Sequence, residues 1–586
     1  MTFDFSAQFA ALLQETAFTM DAFGTAFSPD VRPADPRFGH FQANGVLPLA
    51  KALGTNPRGL AQSLVDALDP KNPLLNGVEI SIAGPGFINA RLSGSWFVEW
   101  LRDPCTGPLL DQALALLGDY PSRVVVDFSS PNTAKQMHVG HIRSTVIGDS
   151  ISRLLSASGH QVIRDNHIGD WGTQFGILLV AVRETNTDLD QLGEDPLAVL
   201  EDLYRTGTRL CEEDPEKKNN ARQLLLSLQN GEPEATRAWK RINQISMQSF
   251  ESIYRHFDVT FDLTHGESFY QDKVDHVCEE LSSLGIAEVS DGALVVFHRD
   301  HPRFATQPFI IRKSDGASNY ATTDLATLLF RSETLGADRI IYVTDARQQD
   351  HFEQLFLTAE KWFLASGRKL PKLDHVYFGK MLGEDGKAIK TRSGDSIKLL
   401  ELVEEGIRRA MEIVASKNPQ LSAEEQSKIA STIGVDAIRY ADLMQNRTID
   451  YVFSWEKLIS FDGNTAPYLL YAVARIHGIF RKLNLDPESF DASGASALET
   501  SEELALAALL VEFPVAFQQA LADLRPHFLC TWLFRCTVAF GSFYNANHVM
   551  VEDSDIRTRR LLLCSRTLKF LETGLKILGL RPLQRM

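Results

Sequence analysis

The stretch VVVDFSSPNTAKQMHVGHIRSTVIG, residues 124–148, determines the fold that is expected for this chain. Val124–Val126 is a β-branched run, which predicts a fully buried strand. Ser129–Asn132 has the residue types of a turn, and apolar residues at helical spacing follow His141. A buried strand that leads into a helix is the beginning of a βαβ unit in a parallel sheet. In such sheets, ligands bind beyond the carboxyl ends of the strands.

Two imidazoles and a glycine lie at this junction of strand and helix. His138 and His141 are three residues apart, so their N–H groups can bind the oxygens of one polyphosphate. Gly140 has no side chain, which allows a flat base to lie against the backbone, and Lys135 adds a positive charge for a phosphate. An isolated His-x-x-His is more often structural or metal-binding, but the strand before it and the helix after it favour a phosphate site.

Size and composition limit the possible classes of protein. The 586 residues are enough for three or four domains, and the formal net charge of −16 argues against indiscriminate binding of nucleic acid. The six cysteines are scattered without a CxxC pair, so neither a bound metal nor a disulfide framework is predicted. No long uncharged apolar run or basic leader predicts a membrane segment or a secretory signal. We therefore expect a cytoplasmic protein without a membrane partner.

Longer segments around the junction resemble one known family. SSPNTAKQMHVGHIRSTVIGD and NHIGDWGTQFG are similar to arginyl-tRNA synthetases, and His138–His141 resembles the HIGH signature of class I aminoacyl-tRNA synthetases. The resemblance covers essentially the whole chain. It implies a multidomain α/β plus all-α fold, with a Rossmann-type parallel-sheet catalytic core, an α+β N-terminal add-on domain and a C-terminal α-helical anticodon-binding bundle. The implied domains are residues 1–118, 119–395 and 396–586.

A polar helical insertion is expected within the catalytic domain, at about residues 186–255. We interpret it as a solvated spacer. Its charged run Pro215–Asn220 predicts a solvent-exposed loop.

The resemblance implies an arginine–tRNA ligase, which activates L-arginine with ATP and transfers it to the 3′ end of tRNA(Arg). Mg²⁺ would accompany ATP, and the enzyme is expected to be a monomer. The implied catalytic residues are His138, His141, Lys135 and Lys390. The implied ATP-binding residues are His138, Gly140, His141, Met381, Leu382 and Lys390. Lys390 matches the first lysine of the KMSKS motif, whereas Ser393 stands at the second, and the resemblance assigns compensation for this change to Lys135.

Arginine has a planar guanidinium with five donors, which carboxylates match in a fork. Tyr320 and Asp324 are four residues apart, so they share one face of a predicted helix. Taken alone, Asp324 would be interpreted as a surface carboxylate, and the surrounding SNYATTDLA pattern reverses that interpretation. By resemblance, the arginine-binding residues are Asn132, Glu267, Tyr320, Asp324 and Gln348.

Aromatic and basic residues outside the catalytic domain predict contacts with tRNA. An aromatic ring can stack on an unpaired base while an amide reads the edge of that base. By resemblance, the tRNA-binding residues are Phe87, Asn89, Tyr471, Arg475, Tyr544 and Met586. Phe87 and Tyr544 could instead be core residues.

Two other functions remain open at this point. Another class I synthetase is one, although a cysteinyl enzyme would need zinc ligands that are missing here. A synthetase-like RNA-binding protein without ligase activity is the other, and His138, His141 and Lys135 argue against it.

Overall fold

The computed structural model describes residues 3–24, 27–118, 120–314, 316–317, 319–387 and 397–586, and within them the chain forms 21 α-helices and 13 β-strands. The helices are α1 (Phe5–Phe18), α2 (Val46–Leu53), α3 (Pro57–Asp66), α4 (Gly94–Arg102), α5 (Leu110–Ala115), α6 (Val139–Ala157), α7 (Thr173–Glu184), α8 (Pro196–Glu213), α9 (Pro215–Gln229), α10 (Pro233–His256), α11 (Val274–Ser283), α12 (Tyr320–Glu333), α13 (Gln349–Ser366), α14 (Leu399–Lys417), α15 (Ala423–Leu443), α16 (Trp455–Leu458), α17 (Ala466–Leu483), α18 (Ser501–Val511), α19 (Phe513–Asp523), α20 (His527–Ala546) and α21 (Ser554–Ile577). The strands are β1 (Val31–Pro33), β2 (Phe41–Ala43), β3 (Val78–Ala83), β4 (Phe87–Leu92), β5 (Arg123–Asp127), β6 (Gln161–Asp165), β7 (Ala287–Ser290), β8 (Ala293–Val296), β9 (Phe309–Arg312), β10 (Arg339–Tyr342), β11 (Lys372–His375), β12 (Met381–Leu382) and β13 (Tyr451–Val452).

The chain divides into two compact units. Unit 1 consists of Met1–Asp119, Ala157–Gly159 and Ser460–Met586, and unit 2 consists of Tyr120–Ser156 and His160–Ile459. Helices α14 and α15 belong to unit 2. The predicted domain boundaries at residues 118 and 395 stay a prediction.

A four-stranded parallel sheet forms the centre of unit 2, in the order β11-β10-β5-β6. Val124, Val125 and Val126 of β5 are fully buried, as the β-branched run predicts. The chain goes from β5 to β6 on one side and later adds β10 on the other side of β5. This change of direction opens a crevice at the carboxyl ends of β5 and β10, which is the usual ligand site of an open α/β sheet.

Three helices begin at this same edge of the sheet. Helices α6 and α13 follow β5 and β10 directly, so they begin at the carboxyl ends of these strands. Helix α12 leads into β10, whose first residues lie beside the start of β5, with the Asp338 N–H donating to the Arg123 carbonyl at 2.8 Å. Helix α12 therefore ends at the amino edge of the sheet and begins at the carboxyl edge, where helix N-termini favour anionic groups.

The insertion of unit 2 is helical and packed. Helices α8, α9 and α10 cover Pro196–His256, and Leu200, Leu224 and Phe250 are buried on their inner faces. The predicted loop at Pro215–Asn220 is wrong, because these residues form the first turns of α9. Asp214 accepts a hydrogen bond from the Glu216 N–H and Pro215 occupies the first turn, which is a helix-start signal despite the charge of the run.

Unit 1 combines a small antiparallel sheet with the last helices of the chain. The sheet has the order β1-β2-β4-β3. Trp100 of α4 packs against Phe570 of α21, with ring centroids 5.9 Å apart, and the Arg566 side chain donates to the Leu101 carbonyl at 2.7 Å. The segments before residue 120 and after residue 459 therefore share one core.

The stretch Ser501–Asp523 has the length and composition of a membrane span. In the structure it consists of two helices, α18 and α19, with Leu506, Leu510 and Phe517 buried in the core of unit 1.

Candidate active site

The loop between β5 and α6 has an unusual backbone that its neighbours hold in place. Ser129, Ser130 and Ala134 have φ angles of 70°, 48° and 63°, a left-handed conformation that is costly for residues with a Cβ. The Ser129 N–H donates to the Ser144 hydroxyl, and the Ala134 N–H donates to the Ser246 hydroxyl, each at 2.9 Å. Strained backbone of this kind concentrates at binding and catalytic sites.

His138 and His141, at the start of α6, are neighbouring imidazoles whose ring nitrogens have defined hydrogen-bonding roles. Their ring centroids are 4.1 Å apart. The His138 N–H donates to Nδ1 of His141 at 3.1 Å, and the Gly140 N–H donates to Nδ1 of His138 at 3.0 Å. Because each Nδ1 accepts, the hydrogen of each neutral ring is on Nε2. Burial lowers the pKa of both rings, to about 3 for His141, so the site offers two Nε2–H donors at neutral pH.

Asn132 and Lys135 extend from the same loop toward solvent. Asn132 pairs with Gly169 beyond β6, and a Cβ at Gly169 would overlap the Asn132 Oδ1 atom. This close approach explains the glycine in NHIGDWG. The Lys135 Nζ lies 4.9 Å above the ring of Tyr204, a cation–π contact with helix α8 of the insertion.

The charges of two carboxylates, Asp170 and Asp324, act on a third, Glu267. Asp170 accepts hydrogen bonds from the N–H and hydroxyl of Ser268 at 2.8 and 2.6 Å, and the Glu267 N–H donates to the Ile168 carbonyl at 3.0 Å. Burial, reinforced by the charges of Asp324 and Asp170, raises the pKa of Glu267 to about 8. Such a group of acids favours a cationic ligand, which relieves the repulsion between them.

Asp324 has a partner that the sequence analysis missed. Nε2 of His351, in the first turn of α13, lies 2.5 Å from Oδ2 of Asp324. Burial alone would lower the pKa of His351, but the hydrogen bond to Asp324 and its charge outweigh burial and raise the pKa. The two residues are 27 positions apart, so local sequence patterns gave no signal for this contact. Tyr320, at the start of α12, is 68% exposed. Its partial burial, together with the negative charge of Glu267, raises its pKa.

Gln348, Met381 and Leu382 follow the ends of β10 and β11. Gln348 is exposed in a short 3-10 turn, Ala346–Gln348, and Met381 is buried in β12 with Leu382 half-buried beside it. The Ala346 N–H donates to the Phe378 carbonyl at 3.0 Å, which ties the segment before β12 to the end of β10. Both segments therefore belong to the carboxyl edge of the sheet.

Lys390, together with Ser393, lies outside the described residues. The chain after this segment is attached to the histidine junction. The Val139 N–H donates to the Ile397 carbonyl at 3.1 Å, and the Leu399 N–H donates to the Met137 carbonyl at 2.9 Å.

Helix α10 of the insertion supports the site, contrary to our interpretation of this segment as a solvated spacer. The Tyr254 hydroxyl and the Ser129 hydroxyl share a hydrogen bond at 2.9 Å, and the Asn166 side-chain amide donates to the Tyr254 hydroxyl at 3.2 Å. The Trp239 indole N–H donates to the Asp170 carbonyl at 2.7 Å. These contacts join residues more than 60 positions apart, so local sequence patterns gave no signal for them.

The residues predicted to bind tRNA lie in unit 1, and the structure brings three of them together. The Arg475 guanidinium is 4.7 Å from the centre of the Tyr471 ring and 5.0 Å from that of Tyr544. Tyr471 is 42% exposed, so this aromatic–cation–aromatic group is open to solvent. Met586 is half-buried.

Phe87 and Asn89 are neighbours on strand β4 of unit 1. Phe87 is half-buried. Asn89 is 1% exposed, and its Oδ1 accepts from the Gln42 side-chain amide at 2.9 Å. Contact between Asn89 and a tRNA base stays a prediction.

Comparison with known proteins identifies the family and confirms the fold class expected from the sequence. Residues 112–455 match the family model "tRNA synthetases class I (R), catalytic domain", residues 469–586 match "DALR anticodon binding domain", and residues 6–92 match "Arginyl tRNA synthetase N terminal domain". The arginine–tRNA ligase of Chromobacterium violaceum is 40% identical over 576 residues, which is 96% of this chain and 98% of that protein. The arginine–tRNA ligase of Cellvibrio japonicus is 42% identical over 563 residues, 94% of each chain.

Solved structures agree with these sequence matches. The crystal structure of arginyl-tRNA synthetase from Plasmodium falciparum aligns with a TM-score of 0.82 and 27% identity over 100% of both chains. The histidine junction and the carboxylates belong to one edge of a parallel sheet, and three family models match along the chain. The chain therefore belongs to the arginyl-tRNA synthetase family of class I tRNA synthetases.

Proposed function

We propose that the chain is an arginine–tRNA ligase, which joins L-arginine to the 3′ end of tRNA(Arg) at the expense of ATP. One observation carries the proposal: two neutral imidazole donors for phosphate and a group of interacting carboxylates for a cation belong to the same edge of the sheet of unit 2. Relatives at 40–42% identity that bear this name support the same activity.

In the first step, the carboxylate of arginine attacks the α-phosphate of ATP, forming arginyl-adenylate and releasing diphosphate. The Nε2–H groups of His138 and His141 stabilise the charge that develops on the phosphate oxygens, with Lys135 and Lys390 as positive charges. Gly140, Met381 and Leu382 bind the nucleotide. Orientation and charge stabilisation carry the step without a nucleophilic side chain of the protein.

Glu267 and Asp324 bind the guanidinium of arginine, with Tyr320, Asn132 and Gln348 completing the site. A neutral side chain offers Glu267 and Asp324 neither a positive charge nor the guanidinium donors, so the pocket rejects it. In the second step, the 2′-hydroxyl of the terminal adenosine takes the arginyl group and AMP leaves. Tyr471, Arg475, Tyr544, Met586, Phe87 and Asn89 contact tRNA(Arg).

Mg²⁺ is proposed as a ligand of the ATP phosphates. In the part of the chain that the structure describes, no three His, Cys, Asp or Glu side chains form a group that could hold a metal ion. The enzyme is proposed to act as a cytoplasmic monomer. Light scattering of the purified protein tests the oligomeric state.

ATP–diphosphate exchange tests the activity, with each amino acid in turn and with and without tRNA. Exchange driven by arginine supports the proposal. Exchange driven by another amino acid would indicate a different synthetase, and the absence of exchange under every condition would favour the RNA-binding protein. Asp324→Ala should raise the arginine KM far more than the ATP KM, whereas Asp350→Ala, on exposed α13 surface, serves as the matched control.

A further inference from the structure

His351 contacts Asp324, one of the proposed arginine-binding residues, but the proposed function gives it no role. We propose that His351 is a positioning residue that orients the Asp324 carboxylate toward the guanidinium of arginine. This inference rests on the proposed function, in which Asp324 binds the substrate side chain.

The geometry between α12 and α13 supports this role. Nε2 of His351 contacts Oδ2 of Asp324 at 2.5 Å, although the two residues are 27 positions apart. A bond to one carboxylate oxygen restricts rotation of the group, so the other oxygen has a defined direction. Both side chains are partly accessible, with 30% of His351 and 21% of Asp324 exposed, as expected at the wall of a pocket rather than in the core.

Aromatic rings hold the imidazole in this position. The ring centroid of Phe309 on β9 lies 5.6 Å from that of His351, and the ring of Phe352 lies at 5.3 Å. His375 on β11 packs against Phe352 at 4.5 Å between ring centroids, and burial together with Arg447 and His351 lowers the pKa of His375 to about 4. His375 is therefore neutral and does not compete for the proton of His351.

The charges around Asp324 explain why a histidine is useful there. Asp324 acts on Glu267, Tyr320 and Tyr342, all of which are neutral or negative groups, while His351 is the group that becomes positive beside it. The hydrogen bond from His351 holds the Asp324 carboxylate in place near Glu267. Asp324 is then prepared to accept a guanidinium before arginine arrives, which lowers the cost of ordering the pocket.

Steady-state ATP–diphosphate exchange of the full-length enzyme tests the inference with three variants. His351→Ala removes the bond to Asp324, and the arginine KM should rise about 10- to 100-fold, the range for a lost hydrogen bond to a charged group. The kcat and the ATP KM should change less than about threefold, because Asp324 contacts only the arginine side chain. His351→Gln should restore most of the arginine affinity, since its amide can donate from nearly the same position as Nε2.

His351→Asn provides the comparison that does not depend on the alanine variant folding. Asparagine is polar but too short to replace Nε2, so it should resemble alanine rather than glutamine. His301→Ala is the matched control, because His301 pairs with Glu353 of the same helix α13 at 3.1 Å and should leave the arginine KM unchanged.

Equal arginine KM values for the asparagine and glutamine variants would overturn the inference, as would parallel increases in the arginine and ATP KM. An unmodified enzyme that shows no arginine-dependent exchange would overturn the proposed function itself. An active enzyme with an unaltered alanine variant would overturn the role of His351 alone.

Discussion

Glu267→Gln should remove most of the pH dependence of arginine binding. In the empty pocket, burial and the charges of Asp324 and Asp170 raise the pKa of Glu267 to about 8. A guanidinium binds the ionised carboxylate, so only the ionised fraction of the enzyme is competent, and affinity increases as pH rises through the raised pKa. That fraction is about one tenth at pH 7 and about one hundredth at pH 6. The arginine KM of the unmodified enzyme should therefore be about tenfold higher at pH 7, and about 100-fold higher at pH 6, than at pH 9.

Arginine KM values at pH 6, 7, 8 and 9, measured by ATP–diphosphate exchange, check this expectation, with the ATP KM in the same buffers as the internal control. The glutamine variant should bind arginine more weakly at pH 9, by about 10- to 100-fold, and its KM should lose the steep rise toward low pH, which leaves only the change that comes from the titration of His351. Glu333→Gln, at the far end of α12, should keep the slope of the unmodified enzyme. A flat profile for the unmodified enzyme, or an unchanged slope in Glu267→Gln, would refute the reasoning.

Three further substitutions test other parts of the structure. Gly169→Ala should reduce ATP–diphosphate exchange at least tenfold without unfolding the protein, because the new Cβ displaces Asn132. A Cβ at Gly494 has no atom within 4 Å, so Gly494→Ala should be neutral. Equal activity of the two variants would contradict the close approach of Gly169 to Asn132. Arg331→Met should lower the free energy of unfolding, measured in urea, by about 3–5 kcal/mol, because it leaves Asp127 and Asp165 buried without their cation. An unchanged urea midpoint would be inconsistent with that pairing. Arg475→Ala should raise the tRNA KM several-fold in aminoacylation while the arginine KM stays constant, and a change in arginine KM alone would reject its assignment to tRNA.

The local strings of the sequence were sufficient for the first strand–helix unit of the catalytic core and for the residues of the junction, whereas the domain organisation came from the family resemblance. The buried run of β5, the turn after it and the helix that follows His138 each depend on neighbours within a few positions, so periodicity and residue type predict them. The same holds for Tyr471 and Arg475, which share a helix face because they are four residues apart. The family resemblance then named Glu267 and Asp324, which no local pattern would have joined.

The tertiary structure alone decided which distant groups meet. It pairs Asp324 with His351, buries Asn89 inside a small sheet and places Tyr544 beside Arg475. It also makes the insertion a support of the active-site loop, through contacts such as the one between Tyr254 and Ser129. A helix or a turn forms from interactions between near neighbours, whereas burial, ion pairs and pKa shifts depend on which segments the folded chain packs together.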